Sequence, residues 1–579
     1  MTVVRLDPAQ RRADLARLAA ERFDLVVVGG GVTGSGAALD AASRGLSVAL
    51  VEARDWAAGT SSRSSKLIHG GLRYLEQRNF TLVHEALTER GLLLRRLAPH
   101  LVRPVPIVIP LAHRVWQRAY YGAGLALYDL LAGVLGPGRG LPAHRHLSRR
   151  GALRAVPSLR PDALVGAIQY WDGQVDDARH TLAVARTAAQ YGAAAVSSAR
   201  VTELLRAGER VVGVRVRDLE SGAEIDVRAR CVAAATGVWS DDIGAMLGQP
   251  PGQGGLRVRA SKGIHLVLPA GRRSGDTGLV LRTETSVLFV LPWGRHWIIG
   301  TTDTDWALDR AHPAASSSDI RYLLDRVNQV LVEPLSTADI EGVYAGLRPL
   351  LAEESDATSR LSREHAVVRP APGLVLIAGG KYTTYRVMAA DLVDAAVAAA
   401  ELDWVPPSRT RWLPLLGARG FAASWDRRAD LARAHGLPVA WVEHLLRRYG
   451  TLTTELLELV EARPELAAPL PGAPDYLAVE AYYAAAAEGA LHLDDILTRR
   501  TRISVQTAHR GVGCAEGVAE LVAPVLGWDG ATIRREVAHY RARVEAERES
   551  QRMPDDHTAD AARLGAPDVR GTAASTPTR

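Results

Sequence analysis

Three glycines at fixed spacing constrain this chain more than anything else in it. An apolar run, Leu25-Val26-Val27-Val28, breaks at Gly29-Gly30-Gly31 and passes through Gly34 into an Ala-rich segment. A second apolar run, Ser47-Val48-Ala49-Leu50-Val51, ends in Glu52. That pattern is a strand, a glycine turn, a helix, a strand and an acid, the dinucleotide-binding unit. Gly29 makes the tight turn, Gly31 lets backbone approach a pyrophosphate, and Gly34 lets the helix pack close on the strand. The helix N-terminus offers free N–H groups and the positive end of its dipole to phosphates. Glu52 can accept hydrogen bonds from a ribose diol and would repel a 2′-phosphate. On this unit alone the nucleotide is NAD or FAD.

The following loop decides between them. Gly59-Thr60-Ser61-Ser62-Arg63-Ser64-Ser65-Lys66-Leu67-Ile68-His69-Gly70-Gly71-Leu72-Arg73-Tyr74 is rich in hydroxyls, punctuated by glycine, and carries three cations and a histidine. Hydroxyls and N–H groups can bind a second phosphate, and small residues let a flat ring lie close. The run SSRSSKLIHGGLRYLE resembles the FAD-dependent glycerol-3-phosphate dehydrogenases of the aerobic, respiratory type. It is also similar to their oxygen-using relatives, the alpha-glycerophosphate oxidases. By motif the resemblance extends from about Leu15 to Arg510. It implies FAD as cofactor, with Thr60, Ser61, Ser62, Ser64, Ser65 and Lys66 as cofactor-side residues.

The chain has 579 residues, 47% hydrophobic and 23% charged, enough for two or three domains of an ordinary soluble protein. Its net charge of +6 suits an anionic substrate or membrane surface. No arginine stripe is interleaved with aromatics, so no nucleic-acid partner is expected. Two cysteines, Cys231 and Cys514, make no disulfide framework and point to a reducing compartment. Residues 1–22 lack an apolar signal core, and no apolar run is long enough to span a bilayer. Only three of the 70 basic residues are lysines, Lys66, Lys262 and Lys381, each beside glycine or hydroxyl residues. That placement predicts a functional role for all three.

Taken in order, the pattern predicts an α/β protein. A discontinuous Rossmann-like FAD-binding domain comprises 1–98, 166–257 and 345–402. An inserted β-rich substrate domain comprises 99–165 and 258–344. An all-helical C-terminal domain covers 408–550, and 552–579 form a disordered tail. Residues 114–135 are apolar and aromatic. They read as a core helix or helix pair, or as an interfacial segment with Trp116, Tyr120 and Tyr121 at headgroup level. The charged run at 492–502 reads equally as a solvated face or as part of the family's helical domain.

In the chemistry the resemblance implies, Thr236, Gly237 and Trp239 lie over the cofactor, and Gly379, Gly380, Lys381 and Thr383 form a second glycine turn beside it. Lys381 could stabilise negative charge at the flavin N1–O2 region. Arg73, Arg348 and Arg363 come together on a phosphate, with Tyr74 and His69 near the substrate. Glu364-His365 departs from the family's Asp-aromatic pair after Arg363. A base must take the hydroxyl proton as hydride leaves, and His265 is the first candidate, His69 the second. No ligand spacing for a metal is present. The implied substrate is sn-glycerol 3-phosphate and the implied acceptor a quinone, with the protein in the cytoplasm on the inner face of the cell membrane. A soluble oxidase making peroxide and a non-catalytic flavin-binding regulator are the alternatives, and a homodimer is allowed.

Overall fold

The computed structural model describes residues 3–570 except 77–78, 114, 135–140, 249–255, 272–274, 284–286 and 353–363. The glycine-spaced segment folds as its pattern dictates. Strands Arg22–Val28 and Val48–Val51 pair in parallel, joined by helix Val32–Ser43. They sit inside an eight-stranded sheet whose main path runs 365–371, 374–379, 224–234, 22–28, 48–51, 194–196. The inner strands are covered on both faces, which is why they read as unbroken apolar runs. Helices Val32–Ser43, Asp177–Gln190 and Tyr385–Ala399 pack one face around Leu50, Leu182 and Leu392. Strands Ala199–Ala207 and Arg210–Asp218 close the other around Val26, Val214 and Val232.

A second, ten-stranded sheet forms the substrate domain. Two domain boundaries move. Strand Gly166–Val175, predicted for the cofactor domain, pairs antiparallel with Val102–Leu111 along its whole length. Strand Gly342–Leu351 does the same with Val258–Pro269. Each belongs to the second sheet and only afterwards returns the chain to the first. The loop strand Leu67–Ile68 also pairs into the second sheet. The insertion therefore begins where expected and ends later, because its last strand in each case is held by a ladder rather than released at a turn.

The C-terminal domain is helical apart from a small hairpin, Pro469–Leu470 with Ala473–Leu477, a departure from the all-helical expectation. The tail is a larger correction. Asp556–Leu564 is a helix whose N-cap Asp555 accepts from the Thr558 N–H at 2.9 Å. The Ser317 N–H donates to the Met553 carbonyl at 2.8 Å, and Asp556 pairs with the buried Lys262. The helix is short, with Ala559, Asp560 and Arg563 buried on one face, and capping and distant ion pairs add to its order. Residues 571–579 lie outside the described part.

The charged run at 492–502 is not solvated. Asp494, Asp495, Arg499, Arg500 and Arg502 are all buried. Arg499 and Arg500 converge on Asp55 of the cofactor domain at 2.5 and 2.7 Å. Arg502 reaches Asp176 at 2.6 Å and Asp177 at 2.5 Å. Buried charge is tolerated here because each guanidinium meets a carboxylate across the domain seam.

Candidate active site

The first sheet opens at its strand ends into a trough of about 550 Å³. Gly31 caps helix Val32–Ser43, and the Val32 N–H donates to Ser61 Oγ at 2.9 Å, which ties the loop to the helix N-terminus. A Cβ on Gly34 would lie 1.9 Å from the Gly29 carbonyl oxygen, whereas one on Gly31 would meet nothing closer than Ser61 Oγ at 3.2 Å. Gly34 thus serves packing, and Gly31 keeps the trough open. Glu52 lines the wall and accepts from the N–H groups of Gly30 at 2.6 Å and Arg54 at 2.8 Å. Burial raises its pKa above the ordinary carboxylate value, against the lowering by those two donors.

Thr60, Ser61, Ser64, Thr236, Gly237 and Trp239 also face this trough, as do Gly379, Gly380 and Lys381 at its other end. Gly379 and Gly380 have φ of +81° and +82°, a turn that side chains disfavour, and it delivers Lys381 to the start of helix Tyr385–Ala399. A long trough with a helix N-terminus and an acceptor carboxylate near one end and a cation at the other fits a dinucleotide.

Other predicted cofactor residues lie elsewhere. Ser65 faces a second cavity. The Thr383 hydroxyl accepts from the His69 N–H at 3.1 Å and acts as a strut. Ser62 and Lys66 turn to the opposite side of the loop. Lys66 is buried and donates to Asp177 at 2.6 Å and to the Ser62 carbonyl at 2.7 Å. Its pKa is pushed down to about 8, by burial and then by Arg502. Lys262 is equally buried, on Asp319 at 2.6 Å and on Asp556. Of the three lysines only Lys381 faces the trough. Asp177 is the residue the sequence pattern missed. It accepts from Ser64 N–H at 2.9 Å and Ser64 Oγ at 2.7 Å while holding Lys66 and Arg502, and so fixes the loop between the cavities. Its one local signal was its place at the start of helix Asp177–Gln190.

The second cavity, about 910 Å³, is lined by Ser65, His69, Tyr74, Thr301 and Arg348 at its inner end. It adjoins the trough at two points: Ser64 faces one cavity and Ser65 the other, and Lys381 Nζ lies 3.3 Å from the centroid of the Tyr74 ring. Arg348 is held in place by donating to Thr301 Oγ1 and the Thr302 carbonyl at 3.0 Å and to Ser261 Oγ and Asp303 at 3.2 Å. Gly263 makes room for it, since a Cβ there would lie 2.5 Å from Nη2.

His69 reaches this cavity directly, with its ring edge-on to Phe289. His265 stands one layer back. It is 3% exposed, stacks on Tyr344 at 4.7 Å, and its Nε2 meets Ser65 Oγ at 2.8 Å. Burial, then Lys66 and Arg348, push its pKa well below the usual imidazole value, so it is neutral but a weak proton acceptor. The ranking of His265 as first candidate for the base is therefore corrected, since Ser65 stands between it and the cavity. Arg73 begins the short helix Arg73–Glu76, and its side chain is outside the described part, as is Arg363 altogether. Among the described residues no cluster could hold a metal ion.

This trough and its neighbour define a flavin-dependent oxidoreductase, and known proteins agree. Residues 24–395 match the family described as FAD dependent oxidoreductase, and 408–533 match the C-terminal domain of alpha-glycerophosphate oxidase. Glycerol-3-phosphate dehydrogenase 2 of Mycobacterium tuberculosis is 59% identical over 98% of this chain and 95% of its own. The mitochondrial glycerol-3-phosphate dehydrogenase of Homo sapiens is 38% identical over 91% of this chain and 74% of its own. A solved glycerol-3-phosphate dehydrogenase from Bacillus halodurans, complexed with FAD, superposes with a TM-score of 0.76 at 27% identity, covering 93% of this chain and 98% of that one. The chain belongs to the FAD-dependent glycerol-3-phosphate dehydrogenase family. It is an enzyme, and its cofactor is FAD.

Proposed function

We propose that this enzyme oxidises sn-glycerol 3-phosphate at C2 to dihydroxyacetone phosphate and passes the electrons to a quinone at a membrane surface. The observation that carries the reading is the contact between the trough and the cavity that holds Arg348. A phosphate monoester is close to a dianion at neutral pH, and a preorganised guanidinium binds it bidentately. With the phosphate on Arg348, the rest of the substrate extends toward Ser65, His69 and the Lys381–Tyr74 pair. Bound FAD supplies the hydride acceptor. His69 reaches the cavity without an intermediary and is the stronger candidate for the C2 hydroxyl proton, while His265 could receive it only through Ser65. Lys381 keeps positive charge at the inner end of the trough.

Two features support a quinone acceptor. The second cavity is far larger than a three-carbon phosphate needs, and its outer part is lined by Phe80, Tyr120, Tyr121 and Leu127. The helix that supplies Tyr120 and Tyr121 also turns apolar residues outward. No helix among the described residues is long and apolar enough to cross a membrane, so contact would be peripheral. Oxidation of glycerol 3-phosphate with a short-chain quinone, compared with peroxide formed in air, tests the acceptor. Fast quinone reduction with little peroxide is expected. Stoichiometric peroxide and no quinone reduction would make it an oxidase.

A further inference from the structure

A third cavity, of about 60 Å³, lies where the flavin-side loop, the second sheet, the helical domain and the C-terminal segment meet. Its walls carry five cations, Arg63, Lys66, Arg502, Arg543 and Arg563, against two carboxylates, Asp494 and Glu547. Three of the cations are matched. Lys66 has Asp177 at 2.6 Å, Arg502 has Asp176 at 2.6 Å, and Arg543 has Asp494 at 2.9 Å. The other two are not. Among the described residues Arg63 donates to the Ala311 carbonyl alone, at 3.3 and 3.4 Å. Arg563 is 3% exposed, and its Nη1 is buried without a partner among the described residues. Glu547, partly exposed, points to Arg510 at 4.0 Å instead.

Two guanidiniums beside one cavity, one half-buried and one buried, with no acid in ion-pair range among the described residues, leave positive charge that a bound anion would offset. Burial and then neighbouring cations lower both, Arg63 to about 9 beside Arg54 and Arg543, and Arg563 to about 10 beside Arg543, the more distant Glu547, Asp494 and Asp309 opposing the shift of Arg563 without cancelling it. At about 60 Å³, against about 550 Å³ for the nucleotide trough, the cavity has room for a small anion and not for a nucleotide. We propose that it is a binding site for a single tetrahedral oxyanion of the phosphate class, clasped between Arg63 of the loop and Arg563 of the helix Asp556–Leu564. The ligand would tie the C-terminal helix to the loop that delivers Ser64 and Ser65 to the two active-site cavities. The site lies on the far side of that loop from Arg348, so it is separate from the substrate's own phosphate position.

The test uses the full FAD-bound protein. Crystals soaked in selenate should give an anomalous peak between Arg63 and Arg563, lost in Arg563→Gln. In phosphate-free buffer Arg563→Gln should melt no lower than wild type, since it removes an unmatched charge. Added phosphate should then raise the melting temperature of Arg348→Ala, whose substrate pocket is disabled, by a few degrees, but not that of the double variant Arg348→Ala, Arg563→Gln. If Arg563→Gln does not fold, Arg63→Gln serves both experiments. Absence of the peak at saturating selenate overturns the proposal. So does a melting temperature for the folded double variant that still rises with phosphate as much as that of Arg348→Ala.

Discussion

Gly31 and Gly34 stand three residues apart and answer to different forces. At Gly34 any side chain meets the Gly29 carbonyl, so Gly34→Val should break the helix–strand contact and leave little soluble protein. At Gly31 a side chain would enter the trough, so Gly31→Val should fold and lose most of its FAD. Circular dichroism with flavin content separates the two; a folded Gly31→Val protein of full yellow colour would contradict the cradle. The lysines teach the complementary lesson. Their rarity in an arginine-rich chain marked all three, yet Lys66 and Lys262 are spent on Asp177, Asp319 and Asp556. No local pattern announces such partners, which lie 57 to 294 positions away. The glycine spacing was legible because its physics is contained within a dozen residues. The His265–Ser65 contact was not, because alternation on a strand says which face a ring takes and not what stands before it.

At the scale of elements, helix Trp116–Val134 combines the two alternatives its sequence left open. Leu125, Tyr128 and Ala132 are buried against the second sheet and a neighbouring helix. On the other side Trp116, Tyr120 and Leu130 are 58%, 49% and 53% exposed. These three lie at helical spacing and form an outward apolar stripe. Basic charge with such a stripe should give reversible binding to anionic vesicles, weakened by salt. The triple variant Trp116→Ser, Tyr120→Ser, Leu130→Ser should lose most of that binding while keeping its FAD and its activity on a soluble acceptor. Co-sedimentation at low and high salt checks this. Equal recovery of wild type in the supernatant with and without lipid would argue for a soluble enzyme.

In the whole molecule, the helical domain is fastened by buried ion pairs rather than by apolar contact alone. His492 sits between Glu220 of the cofactor domain and Glu536 of its own domain, 3.0 Å from each. Burial and Arg570 lower its pKa, the two carboxylates outweigh them, and it rises to about 9. A raised folded pKa contributes stability that is complete below the unfolded value, about 6.5, and is lost as pH climbs through the folded one. Burial opposes ionisation of Glu220, but His492 prevails and holds it down to about 2, so the same pair weakens in acid only below about pH 4.5. The melting temperature should therefore fall between about pH 6.5 and 9, and His492→Gln should flatten that slope. An unchanged slope would remove His492 from the seam's energetics. The sequence showed charge at 492–502 and could not show that its partners come from Asp55, Asp176 and Asp177. The ordered tail was hidden for the same reason.

The central claim, that a flavin trough and an arginine-bearing cavity act together on glycerol 3-phosphate, is tested most directly by anaerobic bleaching of the bound flavin. Glycerol 3-phosphate should bleach the wild-type protein within a single turnover, and glycerol should do so far more slowly. Arg348→Ala should keep its FAD and lose about 2–3 kcal/mol of selectivity, roughly 30- to 150-fold in the rate with glycerol 3-phosphate. Its rate with glycerol should change little, because Arg348, positioned by Asp303 and Thr301, would serve a phosphate that glycerol lacks. A flavin that stays oxidised with glycerol 3-phosphate, or a mutation that slows both substrates alike, would contradict the account.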